Sequence, residues 1–115
     1  MSRMAGRVLG FVTGLLLAGV VYSQNKPTIS ISSDRVKLGD SVIVTGNGFT
    51  PNKSVLSHLR RPDGSEYNPL RFYTNARGEY SHKVDTVMMH EGTFELWSED
   101  EPSHTLSNRV QFKVE

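Results

Sequence analysis

The chain has 115 residues, 22% of them charged, 37% apolar and none a cysteine, an ordinary globular composition with room for one domain. The lack of cysteine excludes a lipidated cysteine, a disulfide framework and a thiolate-bound structural zinc. The formal charge of +1 rests on Arg3 and Arg7. Residues 24–115 alone carry 11 basic against 12 acidic side chains, a balance that argues against nucleic acid, whose binding needs clustered cations.

The amino terminus differs in kind from the rest. Met1 to Arg7 is basic without an acid, and Val8 to Tyr22 is apolar, Gly or Thr throughout. The run matches a signal-peptide core of roughly 7–15 residues and is shorter than the ~20 that a membrane-crossing helix uses. Val21 and Ser23 occupy the small-residue positions before a cut between Ser23 and Gln24. Residues 1–23 therefore read as a signal peptide and 24–115 as the exported domain. The alternative is an uncleaved helix that tethers the domain with its basic end cytoplasmic. Gly10-Phe11 also resembles a prepilin cleavage point, although Leu15 stands where such leaders carry an acid.

Beyond Gln24, short alternating runs replace any sustained helical spacing, so the domain reads as all-β. Thr28 to Ser32 alternates through Ile29 and Ile31. After a turn at Leu38-Gly39-Asp40, Ser41 to Thr45 alternates through Val42 and Val44. Gly46 to Lys53 is expected as a loop, because Pro51 cannot sit inside a central strand. Ser54 to Leu59 follows, then a Pro62-Asp63-Gly64 turn. Leu70 to Thr74 and Glu79 to Asp85 flank Asn75-Ala76-Arg77-Gly78, which reads as a four-residue hairpin loop. Thr93 to Ser98 points Phe94 and Leu96 one way and Trp97 the other. Arg109 to Glu115 closes the chain with Val110, Phe112 and Val114 on one face. About seven short strands with frequent turns predict an immunoglobulin-like β-sandwich of antiparallel strands, with a small closed barrel as the other architecture.

Three segments carry a resemblance. Leu38-Gly39-Asp40-Ser41-Val42-Ile43-Val44-Thr45-Gly46-Asn47-Gly48-Phe49-Thr50-Pro51 resembles the opening of bacterial immunoglobulin-like domains of the IPT/TIG kind. Thr74 to Tyr80 is similar to a hairpin of bacterial surface repeats, and Ser107 to Val114 to their closing strand. The resemblance implies an Ig-like fold with Gly48 turning Phe49 back into the core. It also implies a domain that is usually non-catalytic, found in adhesins, enzyme accessory modules, secretion components and surface fibres.

Side chains that carry chemistry are few. His58, His82, His90 and His104 lack metal-ligand spacing, and no nucleophile elbow is present, so no metal, cofactor or catalytic residue is assigned. His82 shares a face with Tyr80 and Val84 and reads as a half-buried side chain satisfied by backbone. Glu99-Asp100-Glu101 is the densest acidic cluster and reads as a solvated turn closed by Pro102. An outward Trp97 needs cover from a partner or from the other terminus, and with Tyr67 and Tyr73 it suggests a platform for stacking a sugar or a protein side chain. Arg60-Arg61 and Arg71 read as a basic spot beside the Pro62-Asp63-Gly64 turn that would meet an acidic polymer, or as plain exposed turn arginines.

The expected function is that of an exported, non-catalytic module, secreted, periplasmic or at the cell surface. Its partner is a protein or polysaccharide, or further copies joined through sheet edges. Membrane contact is expected only if the first segment stays uncleaved. The competing class is a small exported metalloprotein or enzyme using the histidines and the Glu99-Asp100-Glu101 turn.

Overall fold

Strands form where β-branched and aromatic residues alternate with polar ones, because only that period puts one face of an extended chain inward. The computed structural model describes residues 26–115, so the expected signal peptide lies outside the described residues. Nine strands are present there: β1 (Thr28–Ile31), β2 (Arg35–Val36), β3 (Ser41–Asn47), β4 (Ser54–Arg60), β5 (Leu70–Tyr73), β6 (Tyr80–Asp85), β7 (Gly92–Asp100), β8 (Thr105–Leu106) and β9 (Val110–Val114). They make two sheets, a three-stranded one in the order β1-β3-β6 and a six-stranded one in the order β2-β9-β7-β4-β5 with β8 added to β7.

Set aside the two-residue strands β2 and β8, and the first, second and fifth long strands form one sheet and the other four the second. The connections β3–β4, β5–β6 and β6–β7 all cross between the sheets. This is the Greek-key arrangement of an immunoglobulin-like sandwich. The core lies between the sheets, with Val42 and Val44 of β3 facing Val55, Phe94, Leu96 and Phe112. Phe94 and Phe112 stack at 5.4 Å between centroids. Each fully buried side chain of this size contributes about 1.5–3 kcal/mol.

Several local expectations need correction. The turn at Asn75–Gly78 forms, with Gly78 N–H donating to Asn75 O at 3.0 Å, but it joins strands in opposite sheets and is no hairpin. The loop expected from Gly46 starts later, because Gly46 and Asn47 continue β3. A Cβ on Gly46 would lie 2.4 Å from the Tyr80 ring, so a glycine there lets Tyr80 cross the strand. Gly48 has a positive φ of 79°, and Phe49 turns inward onto Tyr80 at 5.4 Å between centroids, edge to face, as its sequence position implied. Not every pair is antiparallel, since β2 runs parallel to β9.

Candidate functional site

Two surfaces contain the residues singled out in the sequence, and the fold keeps them apart. One is the outward face of the six-stranded sheet. Strand alternation puts Glu95, Trp97 and Glu99 of β7 on this face beside His58 and Arg60 of β4, with Trp97 directly opposite His58. Trp97 does point away from the core, as expected, yet it is only 5% exposed. Its cover comes from the chain itself. The His58 ring lies parallel to the indole at 5.2 Å, and the guanidinium carbons of Arg109 and Arg60 sit 4.0 and 5.2 Å from the indole centroid. Glu95 holds both arginines, accepting from each at 3.2 Å. Each cation–π contact contributes about 0.5–1 kcal/mol at such a site.

Further along this face Glu99 stands between two histidines. His104 Nδ1 is 3.4 Å from Glu99 Oε2, while His58 Nε2 is buried 3.6 Å from Oε1, within ion-pair range but too far for a hydrogen bond. The expected solvated turn is corrected here, because Glu99 and Asp100 belong to β7 and Asp100 is 4% exposed. Burial alone would raise the Asp100 carboxyl, but hydrogen bonds from Ser103 and from the side chain and amide of Thr50 outweigh it and hold the group below its usual range. Asp100 thus ties the loop after β3 to the end of β7. Glu101 is paired with Arg71 at 2.7 Å, and hydrogen bonds from Arg71 and Ser54 bring its carboxyl down to about 2. Among the described residues no three His, Cys, Asp or Glu side chains come together in a metal-binding group.

The second surface is the open side of the sandwich, where β5 of one sheet and β6 of the other end their sheets as edges. Between them is a cleft of about 440 Å³ whose lining includes Leu59, Tyr67, Leu70, His82, Val84 and Met89. At its inner side Ser57 Oγ and His82 Nε2 are 3.0 Å apart. His82 is half-buried and hydrogen-bonds the Lys83 backbone, as expected, and the Ser57 hydroxyl is a second partner. Burial holds the imidazole below its ordinary pKa, so it is neutral near pH 7. Phe72 and Tyr80 flank it, at 4.2 and 5.9 Å between centroids. Tyr80 hydrogen-bonds Ser98 across the core, and burial raises its phenol.

Tyr67 and Arg61 mark the mouth of this cleft. The Arg61 guanidinium lies 3.7 Å from the Tyr67 ring centroid, and on its other side a second hollow of about 320 Å³ is lined by Pro62, Met88, His90 and Phe94. Around them Met88 is 90% exposed and Leu70 59%. Tyr73 is 70% exposed but sits on the outward face of β5, in register with Ser54, away from the cleft. The expected platform is therefore divided. Trp97 and Arg60 belong to the covered outer face, Tyr67 and Arg61 to the open side, and Tyr73 stands alone at an edge. The cleft itself was not visible in the sequence, because Tyr67, His82 and Met89 meet only once two sheets are stacked.

No family model and no curated protein sequence matches this chain. Among solved structures, it is similar to a crystal structure of a CARDB domain from Pyrococcus furiosus in complex with di-metal ions, at 14% identity over 78% of this chain and 86% of that one, with a TM-score of 0.46. CHIR-AB1 gives 15% identity over 76% of this chain and 94% of that one, with a TM-score of 0.46. A solution NMR structure of the Pyrococcus furiosus CARDB domain gives 16% over 79% and 97%, with a TM-score of 0.43. The fold rests on the strand order described above, and the function on the chain's own surfaces.

Proposed function

We propose that this chain is an exported, non-catalytic immunoglobulin-like module, of the IPT/TIG kind by its Leu38–Pro51 segment, that works by protein–protein contact through the open side of the sandwich. One observation carries the reading. The outer face spends its aromatic and cationic groups on one another, whereas the open side leaves Leu70 uncovered at the cleft and Met88 at the neighbouring hollow. Clustered apolar exposure of that sort marks an interaction surface. A polysaccharide partner is the weaker choice, since both faces of Trp97 are occupied and the exposed Tyr73 stands alone, without a second aromatic to complete a stacking platform.

The Ser57–His82 pair does not alter this. A hydroxyl beside a neutral imidazole is half of a nucleophilic pair, but catalysis also needs a group to orient the base and donors for an oxyanion. Among the described residues no carboxylate is hydrogen-bonded to His82, whose partners are Ser57 Oγ and the Lys83 backbone.

The reading is tested with photo-crosslinking residues placed at Met88 and, as the control, at Gln111 on the outer face, in cells that make the full chain. Adducts from position 88 and none from 111 are the expected result. Intact-mass measurement of the same material fixes whether the chain begins at Gln24. Adducts from 111 alone would transfer the interaction to the outer face of the six-stranded sheet.

A further inference from the structure

The edges of the two sheets are not equally protected. At β1 the side chain of Asn108 acts as a false neighbour, accepting from Ile29 N–H at 2.8 Å and donating to Ile29 O at 3.1 Å. At the far side of the same sheet, β6 has no such cover. Ile43 directs its amide and carbonyl toward Ser32, so the neighbouring Val42 and Val44 bond β6, through Val84 and His82. The amides and carbonyls of Ser81, Lys83 and Asp85 therefore point off the sheet, with no backbone partner among the described residues, although the His82 side chain hydrogen-bonds the Lys83 backbone. Lys83 and Asp85 also lie on the solvent face without an ion-pair partner there, although Arg35, Arg60, Arg71, Arg77 and Arg109 are all paired.

We infer that the open side receives a second copy of this chain, through antiparallel pairing of β6 with β6 about a two-fold axis at Val84. This rests on the reading of the open side as the interaction surface and names its partner. Register is decided by charge and by which groups are unoccupied. A two-fold at Ser81 or His82 would bring Glu79 into the ladder, but its amide and carbonyl already bond Asn75. A two-fold centred on Lys83 sets lysine against lysine, and one centred on Asp85 sets acid against acid. Centred on Val84, each Lys83 stands opposite the other copy's Asp85, and the outward backbone groups of both residues meet in hydrogen-bonded pairs. A lone lysine on an edge strand repels strand addition. With an aspartate two residues on, along the same face, it instead selects one register and an isologous partner.

The test is light scattering on the full chain as cells yield it, over a range of concentrations, for the wild type, Lys83→Asp, Asp85→Lys and the double exchange. The wild-type mass should rise toward two chains with concentration. The two-fold axis doubles every change, and each single variant turns both attractive pairs into like-charge pairs, so either should weaken association about tenfold. The double exchange restores both pairs and should return it. Because the chain has no cysteine, Val84→Cys supplies a single thiol at the axis, where Cα atoms about 4.5 Å apart allow a disulfide between copies. Single variants that leave association unchanged, or a Val84→Cys chain that stays monomeric on oxidation, would overturn the pairing. A wild type that is monomeric at every concentration while position 88 crosslinks to other proteins would remove the second copy and leave the open side as a binding surface. If position 88 captures nothing either, the surface itself fails.

Discussion

The outer face of the six-stranded sheet and the open side of the sandwich are built from the same residue types and end in opposite states. On the outer face an indole, two guanidinium groups, an imidazole and a carboxylate saturate one another, leaving Trp97 5% exposed. On the open side a tyrosine and an arginine also pair, but the cleft beside them and the thioether of Met88 stay uncovered. An aromatic–cation cluster is thus not by itself a mark of a binding surface. What separates the two is whether the neighbouring strands supply enough partners, and β5 and β6, as edges, do not.

The comparison is broken most severely at Trp97. If the outer face is structural, Trp97→Ala should cost about 3–5 kcal/mol in urea unfolding, the range for losing a buried large aromatic. A cost below ~1 kcal/mol would mean that the indole is dispensable to the fold and reserved for a partner. Next comes Asp100→Asn, which keeps the shape but removes the charge accepting from Thr50 and Ser103. A loss of about 1.5–3 kcal/mol at neutral pH is expected from weakening hydrogen bonds to a buried ion. The Asp100 carboxyl is held below its unfolded value, so its contribution is present above about pH 4 and fades as pH falls through the folded value. The variant should lose stability less steeply than wild type on acidification, and an unchanged acid limb would remove Asp100 as a source.

The open side gives smaller and more selective effects. His82 is held neutral by burial, so the unfolded chain binds a proton more readily than the folded one below about pH 6.5. Stability should therefore rise with pH up to that point, and His82→Gln, read by unfolding at several pH values, should flatten that rise. An equally steep rise in the variant would place its origin elsewhere. Smallest of all is Met88→Ser. It should change stability by less than ~0.5 kcal/mol, as exposed substitutions do, while abolishing crosslinks formed from neighbouring positions on the open side.

The fold was legible in the sequence wherever alternation is strong. The strands around Ile29, Val42, Val55, Phe94 and Phe112 all appear, each within two residues of its expected limits. The two-residue strands β2 and β8 were missed because so short a strand has no period to read and exists only through its partners, Lys113 and Val114 for one and Glu99 and Asp100 for the other. The Asn75–Gly78 turn was recognised by its residues, but whether the following strand returns to the same sheet is decided by long-range packing. The alternation of β7 correctly turned Trp97 outward. Its cover, from Arg60 and Arg109, came from strands far apart in the chain. Asp100 was taken for a solvated turn residue because its partner Thr50 is fifty positions away.

The most direct test is hydroxyl-radical footprinting of the full chain, purified and dilute in one sample and in the intact cells that make it in the other. The account predicts that Trp97 is unreactive in both, and that Met88 is oxidised in the dilute protein and protected in the cells. A Trp97 that reacts when purified and is shielded in the cells would contradict it, and would make the outer face the surface that a partner covers.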